Sequence, residues 1–325
     1  MDVLSDVVTT MKTGRAKVTR SRYTGRWGSR YGPYPGAGFH VVLGGACWLI
    51  PPRGAPLRLT TGDVVFLPRG AVHGISHSPD RTLEQLPQDR TGTDGPGLVT
   101  HVGTEPGDGP AAEAPGEQTL LLCGAYRLNR DAVHPFLRGL PDVIHLPARL
   151  GHHTQLRSAV ELLSSDATED RPGTDVALPA LLDLLIVYTL RSWLETQCPD
   201  EAGGWCAALK DPALAAALDR IHRDPGHSWT VRDLAASVGL SRTTFAARFR
   251  ACVGQSPMAY LTWWRLSTAS RLLRETGAPL ATVARQVGYA SEFAFAHAFK
   301  REFGTAPGAF RKEHGALHEP RSATR

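Results

Sequence analysis

Two segments near the C-terminal end of this 325-residue chain repeat one pattern at a spacing of 49 to 50 residues. Each copy has an alanine, a valine–glycine pair, a serine, two phenylalanines four residues apart, and a glycine three residues before a proline. A short helix ending at a glycine, a capping serine and a second helix with an apolar pair are typical of a helix-turn-helix. The repeat therefore predicts two such units, at about residues 231–252 and 280–303. The matched residues are Ala235, Val238, Gly239, Ser241, Phe245, Phe249, Gly254 and Pro257 in the first copy, and Ala284, Val287, Gly288, Ser291, Phe295, Phe299, Gly304 and Pro307 in the second.

The residue types suit the places that they occupy. The two helices of such a unit cross closely, so the first needs a small residue at the crossing, which Ala235 and Ala284 supply. The turn needs a residue that tolerates a positive φ, which Gly239 and Gly288 supply. One match of this kind would be weak, but two copies with matching flanks are specific.

Placing the phenylalanines inward determines which side chains face outward. At about 100° per residue, Phe245, Phe249 and Cys252 form the buried stripe of the first recognition helix. The outward positions of both recognition helices are candidates for reading DNA bases: Thr243, Ala246, Ala247, Arg250, Phe293, Ala296, His297 and Lys300. Basic residues beside them suit phosphate oxygens, which position a protein on a duplex without reading its sequence. These are Arg242, Arg248, Arg265, Arg301, Arg311 and Lys312.

A third element joins the two units. Ser256 is an N-cap before Pro257, a residue that is well tolerated in a first helical turn, and Gly277 is a C-terminal stop. The sequence predicts one helix from Pro257 to about Thr276, roughly 30 Å long at 1.5 Å per residue. This length is close to the ~34 Å between successive major-groove faces of B-DNA, so the helix could hold two recognition helices one turn apart.

Residues from Asp211 to Glu313 resemble the DNA-binding domain of the AraC/XylS family of bacterial transcription regulators. The similarity is strongest in the ending GYASEFAFAHAFKREFGTAPGAFRK and covers roughly a third of the chain. The resemblance implies two helix-turn-helix units on one long helix, acting on double-stranded promoter DNA together with RNA polymerase. His297 stands where the family often has arginine, so the base preference is not carried over.

Charge is segregated along the sequence. From Lys210 to Glu313 the chain has 15 Lys and Arg against 8 Asp and Glu, whereas the whole chain has 36 against 31. The remaining residues are therefore slightly acidic, at a net charge of −2. A basic module attached to a near-neutral one is the layout expected of a phosphate-binding domain with a separate regulatory domain.

The N-terminal part, residues 1–148, contains β-rich runs separated by glycine and proline: FHVVLGG, ACWLI, LRLTTGDVVFLP and LLLCGAY. Within them, GDVVFLPRGAVH from Gly62 to His73 matches the second cupin motif, G-x5-P-x-G-x2-H. This part resembles a cupin barrel, and more closely the cupin-like sensor at the front of one branch of AraC-type regulators. The Gly/Pro/Asp/Thr-rich stretch between Pro79 and Gln118 predicts an elongated loop inserted into the barrel.

The first cupin motif, which gives two histidines and a glutamate to a metal in enzymatic cupins, is not recognisable. The corresponding WGSRYGPYPG has neither residue type, so His73 alone matches the usual ligands and no cofactor is expected. Other Cys and His residues on or near the strands could form a different site, because both types bind zinc. Those residues are His40, Cys47, Cys123 and His145, and packing is the alternative for each. Whether a metal binds stays open.

A small-molecule effector is the other possible occupant of the barrel. Its candidate pocket residues are His40, Trp48 and His73, because the interior and mouth of such barrels hold small ligands. Packing within the barrel is the alternative for these residues as well.

Two helices are predicted in residues 149–197, from Thr154 to about Thr168 and from Val176 to Gln197, because leucines recur at helical spacing. The apolar face of the second could cover the barrel or form a homodimer interface, as it does in the resembling family. Residues 198–210 are predicted to be the interdomain linker, 211–315 the DNA-binding domain and 316–325 a tail.

Location and redox state are also predicted. The chain has no uninterrupted apolar run near 18 residues and begins without a signal-peptide pattern, so a cytoplasmic protein with no membrane partner is expected. The five cysteines form no C-x-x-C pair and are odd in number, so reduced thiols are expected.

Together these features predict an α+β two-domain protein, with an N-terminal cupin-like β-barrel plus helices and a C-terminal all-α double helix-turn-helix. They favour a sequence-specific, effector-responsive transcription regulator rather than an enzyme. Two alternatives stay open: a metal-dependent cupin enzyme fused to a DNA-binding module, and a constitutive regulator whose barrel only dimerises.

Overall fold

The structure is a computed structural model, and it describes residues 3–11, 17–34, 36–88, 103–106, 118–127, 134–148, 153–168, 172–196 and 203–315. The chain forms two compact units. The first lies within residues 11–198, and the second combines residues 1–10 with residues 199–325. The predicted α+β, two-domain fold class is confirmed.

The first unit is built on two β-sheets. Its described strands are β1 (Lys17–Thr24), β2 (Gly28–Tyr31), β3 (Gly36–Gly44), β4 (Ala46–Ile50), β5 (Leu57–Thr60), β6 (Val64–Leu67), β7 (His73–Ser76), β8 (Gly103–Pro106), β9 (Thr119–Arg127) and β10 (Ile144–Leu146). Six strands form one sheet in the order β10–β6–β3–β9–β1–β8, and four form the other in the order β2–β7–β4–β5. Side chains from both sheets form one buried core, which includes Leu49, Val65 and Leu121.

The segment between Pro79 and Gln118 is more structured than an elongated loop. It contains a 3-10 turn at Leu83–Gln85 and strand β8, which pairs in parallel with β1. A strand at the edge of a sheet offers unpaired backbone groups, and β8 satisfies those of β1. The rest of the predicted loop, residues 89–102 and 107–117, lies outside the described part of the chain.

The helices of the first unit are α2 (Pro135–Arg138), α3 (Thr154–Thr168) and α4 (Thr174–Thr196), and α3 packs against α4. By length and composition alone, Val176–Thr196 is apolar enough to cross a membrane, with a mean hydropathy of 1.4. The prediction that no apolar stretch approaches 18 residues considered only uninterrupted runs, so it did not identify the apolar stretch of this helix. Its Leu178, Leu182 and Leu190 are buried, as in the core helix of a folded unit.

The second unit is helical. Its helices are α1 (Val3–Met11), α5 (Trp205–Lys210), α6 (Pro212–Arg223), α7 (Val231–Ser237), α8 (Arg242–Val253), α9 (Pro257–Glu275), α10 (Leu280–Gln286), α11 (Glu292–Phe303) and α12 (Pro307–Gly315). Tyr260 on α9 is fully buried, and its ring contacts the rings of Trp205, His222 and Phe249. The long connecting helix predicted from Ser256 and Pro257 is α9, which the Ser256 side chain caps.

The first helix of the chain does not join the barrel, although residues 1–148 were expected to form one domain. Asp6 on α1 is buried, and its Oδ2 accepts a hydrogen bond from His222 Nδ1 on α6 at 2.9 Å. His222 Nε2 in turn lies 2.6 Å from the hydroxyl of Tyr260. A buried carboxylate needs such a partner, and finding it on α6 places α1 with the second unit.

The predicted linker also differs from the structure. Residues 205–210 of the expected 198–210 linker form α5, because the indole of Trp205 is buried beside Tyr260. The expectation that all cysteines are reduced is wrong for Cys206, which is disulfide-bonded. The predicted tail, residues 316–325, lies outside the described residues.

Candidate nucleic-acid interface

The two recognition helices, α8 and α11, are built alike. Ser241 and Ser291 cap them by accepting hydrogen bonds from the third main-chain amide that follows each serine. The turns before them contain Gly239 at φ 72° and Gly288 at φ 80°, so the predicted need for glycine is confirmed. The sequence repeat thus produces two local structures of the same kind.

The inward stripes of these helices are also confirmed. Phe245, Phe249 and their equivalents Phe295 and Phe299 are fully buried. One detail differs: Val253, four residues after Phe249, completes the buried stripe of α8 in place of Cys252, which is half-buried.

Six of the eight proposed base-reading side chains are exposed: Thr243, Ala247, Arg250, Phe293, His297 and Lys300. Ala246 and Ala296 occupy equivalent places in the two units and are half-buried, since each is next to a buried phenylalanine. Phe293 is 83% exposed on a helix that buries three other phenylalanines. Packing within the unit therefore does not account for this aromatic side chain.

The six proposed phosphate-binding residues differ in their surroundings. Arg242, Arg301 and Lys312 are exposed. Arg248 forms an ion pair with Asp211, and Arg311 donates from Nη2 to the carbonyl oxygen of Ala278 at 2.5 Å. Half of the side chain of Arg248 is still accessible, whereas Arg311 is directed to the backbone of its own unit.

Arg265 is placed differently from the expected phosphate contact. Its Nε donates to the carbonyl oxygen of Pro225 at 2.6 Å, and its Nη2 donates to that of His227 at 2.8 Å. Burial lowers the pKa of its guanidinium. The side chain is half-buried because it satisfies carbonyl groups of the loop between α6 and α7.

Sequence reasoning missed two exposed arginines on the first helices of the two units, Arg232 on α7 and Arg285 on α10. In a helix-turn-helix the first helix crosses the DNA backbone, so exposed basic residues there are candidates for phosphate contacts. Both arginines lie at the start of a predicted helix-turn-helix unit, and that position could have identified them. They were not predicted because only the recognition helices and their flanks were considered.

The interior of the barrel contains a chain of buried hydrogen bonds. His73 Nδ1 lies 2.8 Å from the carbonyl oxygen of Ala71, which only accepts, so this nitrogen carries the proton. His73 Nε2 then accepts from His40 Nε2, 2.7 Å away. His40 Nδ1 in turn accepts from the thiol of Cys123, with 2.9 Å between nitrogen and sulfur.

Burial keeps both imidazoles in this chain neutral. Removal from solvent lowers the pKa of His73 to about 4. It lowers the pKa of His40 well below its usual range, and the neighbouring His73 adds to that effect. Neutral imidazole has one donor and one acceptor nitrogen, so the direction of every hydrogen bond from Cys123 to Ala71 is determined.

The other candidates in the barrel do not join these three residues. Trp48 pairs with Ser76, whereas Leu49 pairs with Ile75, so Trp48 lies on the sheet face opposite the one that carries Ile75 and His73. His145 Nε2 contacts the carboxylate of Asp63 at 3.2 Å. The proposed pocket of His40, Trp48 and His73 is therefore divided between two faces of a sheet.

A cupin-type metal does not fit these residues. The two imidazoles use their facing nitrogens for one another, and the thiol lies at the opposite edge of the His40 ring. Within the described residues, no group of three or more His, Cys, Asp or Glu side chains is arranged to hold a metal ion.

A cleft in the same unit lies between the barrel and α3. It has a volume of about 350 Å³ and is lined by Val42, Leu146, Leu156 and Val160, with Arg157 and Glu161 on α3. Arg157 Nε contacts Glu161 Oε1 at 2.9 Å. This cleft lies outside the barrel interior in which an effector pocket was expected.

The fold and the doubled recognition helices define a two-domain DNA-binding transcription regulator. Family comparison agrees: a Cupin family matches residues 2–195, and a Helix-turn-helix domain family matches residues 234–313. An AraC-like transcription regulator of Streptomyces antibioticus is 37% identical over 314 residues, which are 96% of this chain and 99% of the relative. The chain belongs to the AraC-like transcription regulators, with a cupin domain at its N-terminal side.

Two further proteins are similar. The RCS-specific HTH-type transcriptional activator RclR of Escherichia coli is 30% identical over 277 residues, or 84% of each chain. The crystal structure of the DNA-binding domain of AdpA in complex with a target DNA is 31% identical. It covers 34% of this chain and 97% of that domain, with a TM-score of 0.32.

Proposed function

We propose that this regulator reads two adjacent segments of the major groove, one with α8 and one with α11. The observation that carries the proposal is the exposed outer face of each helix, where Arg250 and Lys300 occupy equivalent positions. Between these positions the two helices differ in chemistry, since Ala247 corresponds to His297 and Thr243 to Phe293. Two unlike faces would read two unlike half-sites.

Direct readout on α11 would combine polar and apolar contacts. An imidazole at His297 can hydrogen-bond to a base edge, and an exposed ring at Phe293 can contact the methyl group of thymine. Arg242, Arg301 and Lys312, with Arg232 and Arg285 on the first helices, are the proposed phosphate contacts. The net positive charge of residues 210–313 supports this division.

The experiment that tests this proposal is selection of binding sites from random duplexes by the full-length protein. Two separated conserved blocks, about one helical turn apart, are expected. Replacing Thr243, Ala247 and Arg250 together should remove one block, and replacing Phe293, His297 and Lys300 should remove the other. A single conserved block that both sets abolish would contradict the two-helix reading.

The first unit is the proposed regulatory and dimerising module. An effector response is supported by the cupin family match and by the cleft beside α3.

A homodimer is supported by Val176 and Leu184, which are apolar side chains on α4 that are 78% and 44% exposed. Membership in a family of transcription regulators supports the proposal that the protein acts in the cytoplasm, on promoters with RNA polymerase, and not as an enzyme. Analytical ultracentrifugation of Val176→Lys with Leu184→Lys tests the dimer, since charges there should yield monomers.

A further inference from the structure

We propose that Arg265 determines the spacing between the two blocks of base pairs that this protein reads, because it holds the first helix-turn-helix against the second. The inference rests on the proposed function, since a spacing exists only if α8 and α11 read separate segments. In this role Arg265 is a positioning residue that acts through protein contacts. Its basis is a joint, which consists of residues 225–227, residues 286–288 and the Arg265 side chain between them.

One side of the joint is continuous with the first helix-turn-helix. Arg265 donates from Nε to the carbonyl oxygen of Pro225 at 2.6 Å and from Nη2 to that of His227 at 2.8 Å. The loop is further held by Asp224, whose Oδ1 accepts from the backbone amide of His227 at 3.0 Å. The carbonyl oxygen of Asp224 accepts from the indole of Trp229 at 2.9 Å. The first helix of the motif, α7, follows directly after this loop, so its position depends on the loop.

The other side of the joint is the turn of the second helix-turn-helix. A Cβ added to Gly288 would lie 2.8 Å from Arg265 Nη2 and 2.9 Å from the carbonyl oxygen of Gly226. A Cβ added to Gly226 would lie 2.8 Å from the carbonyl oxygen of Gln286. Loop and turn therefore approach one another as closely as glycine allows. A rotation of one motif against the other would have to separate them and break their contacts with Arg265.

A fixed joint has a consequence for DNA recognition. One extra base pair between the two blocks would move the second block by about 3.4 Å along the duplex axis and turn it by roughly 35°. Two motifs held rigidly against each other cannot follow that movement, so one recognition helix loses its base contacts. Two motifs that can rotate against each other follow it in part. The tolerance for altered spacing therefore measures how firmly the joint holds.

A phosphate contact by Arg265, the role expected from the sequence, leads to different behaviour. Such a contact strengthens binding to every duplex alike, and the charge of lysine can replace that of arginine in it. Arg265→Lys keeps the charge but loses the fork of donors that holds two carbonyl groups at once. As a positioning residue, Arg265 should therefore give the same change in spacing preference whether it is replaced by lysine or by alanine.

The test measures binding of the full-length protein to the duplex obtained by site selection and to duplexes with one base pair inserted or removed between the blocks. The spacing penalty is the dissociation constant for an altered duplex divided by that for the selected one. It should be about tenfold or more in the wild type, as for a lost base contact, and about threefold or less in Arg265→Ala and Arg265→Lys. A loss of folded protein changes both dissociation constants alike and cancels in this ratio.

Arg271→Ala is the matched control. Arg271 lies on the same helix, and its Nη1 contacts Glu275 Oε2 at 3.2 Å. Its described contacts lie outside the joint, so the variant should keep the wild-type penalty. Gly226→Ala is a second probe of the joint that leaves the charge unchanged, because its Cβ would press the loop away from Gln286. It should lower the penalty as well, and it serves as the test where the Arg265 variants do not fold.

Three results would overturn the inference alone. The first is a wild-type penalty close to one, which does not depend on any variant folding. The second is an unchanged penalty in Arg265→Ala or Gly226→Ala protein whose circular dichroism matches the wild type. The third is a wild-type penalty in Arg265→Lys together with a lowered one in Arg265→Ala, which would assign the effect to charge. A single selected block of base pairs would instead overturn the proposed two-helix reading, and this inference with it.

Discussion

Arg265 donates a hydrogen bond from its Nε to the carbonyl oxygen of Pro225 at 2.6 Å. The same guanidinium lies against the second turn, where a Cβ added to Gly288 would be 2.8 Å from Nη2. One side chain of α9 therefore ties the loop before the first helix-turn-helix to the turn of the second. These contacts make Arg265 part of the framework that orients the two helix-turn-helix units within the second compact unit.

Arg265→Ala should destabilise the second unit by roughly 2–3 kcal/mol, because two carbonyl groups lose hydrogen bonds from a charged donor. Arg301→Ala is the matched control, since Arg301 is exposed on α11. It should leave the melting temperature nearly unchanged but weaken DNA binding and lower the salt dependence by about one counterion. Equal stability of the two variants would show that the loop carbonyls do not need Arg265.

His297→Ala should change which base pairs are preferred, by roughly 1–3 kcal/mol at one position if the imidazole contacts a base edge. Lys312→Ala should weaken binding to all sequences alike, because a phosphate contact carries no sequence information. Binding-site selection with both variants separates these outcomes. A His297→Ala profile identical to that of the wild type would remove this residue from base reading.

Asp6→Leu should destabilise the second unit by about 1–3 kcal/mol, because the Nδ1–H of buried His222 loses its acceptor. Thr9→Ala on the same helix is the control, since Thr9 is exposed and bonds only within α1 among its described contacts. Hydrogen exchange of α6 amides measures the effect in the full chain. Unchanged exchange in Asp6→Leu would mean that α1 contributes no stability there.

The sequence predicted what depends on local periodicity. Phe245 and Phe249 are one helical turn apart, so their burial and the outward face opposite them could be read directly. Contacts between distant residues were not predictable, because they depend on packing of the whole unit. Asp6 and His222 are 216 residues apart, and Arg265 and Pro225 are 40 apart.

In the barrel, too, the contacts between side chains could not be predicted from the sequence, because they depend on how the strands pair. The sequence placed Trp48 and His73 on strands, but which sheet face each takes depends on the register between β4 and β7. A shift of one residue would exchange the faces. The proximity of His40, His73 and Cys123 likewise required the pairing of β3 with β9, in which His40 lies opposite Cys123.

The first unit should lose stability as the pH falls below about 6.5, the usual histidine pKa. Burial lowers the pKa of His40 and His73, so the unfolded chain binds protons that the folded unit does not. The contribution of these histidines to stability is therefore complete above about pH 6.5. Below that pH the free energy of unfolding falls by up to about 1.4 kcal/mol per pH unit for each histidine. For His73 this fall continues to about pH 4. Urea unfolding at pH 7 and pH 5 measures this, and His73→Gln should reduce the difference. A stability that is equal at both pH values would show that the imidazoles become protonated in the folded unit.

The two turn glycines provide a matched pair. Gly239→Ala and Gly288→Ala each place a Cβ at positive φ, which costs about 1–2 kcal/mol. At Gly239 the new atom meets nothing within 4 Å, whereas at Gly288 it would lie 2.8 Å from Arg265 Nη2 and 2.9 Å from the carbonyl oxygen of Gly226. Gly288→Ala should therefore be more destabilising by a further ~1–3 kcal/mol, the usual cost of overpacking. In an Arg265→Ala background this excess should shrink, because one of the two clashes is gone and the two sites are coupled. Chemical unfolding of the four variants measures the coupling, and strictly additive losses would mean that Arg265 does not press on the second turn.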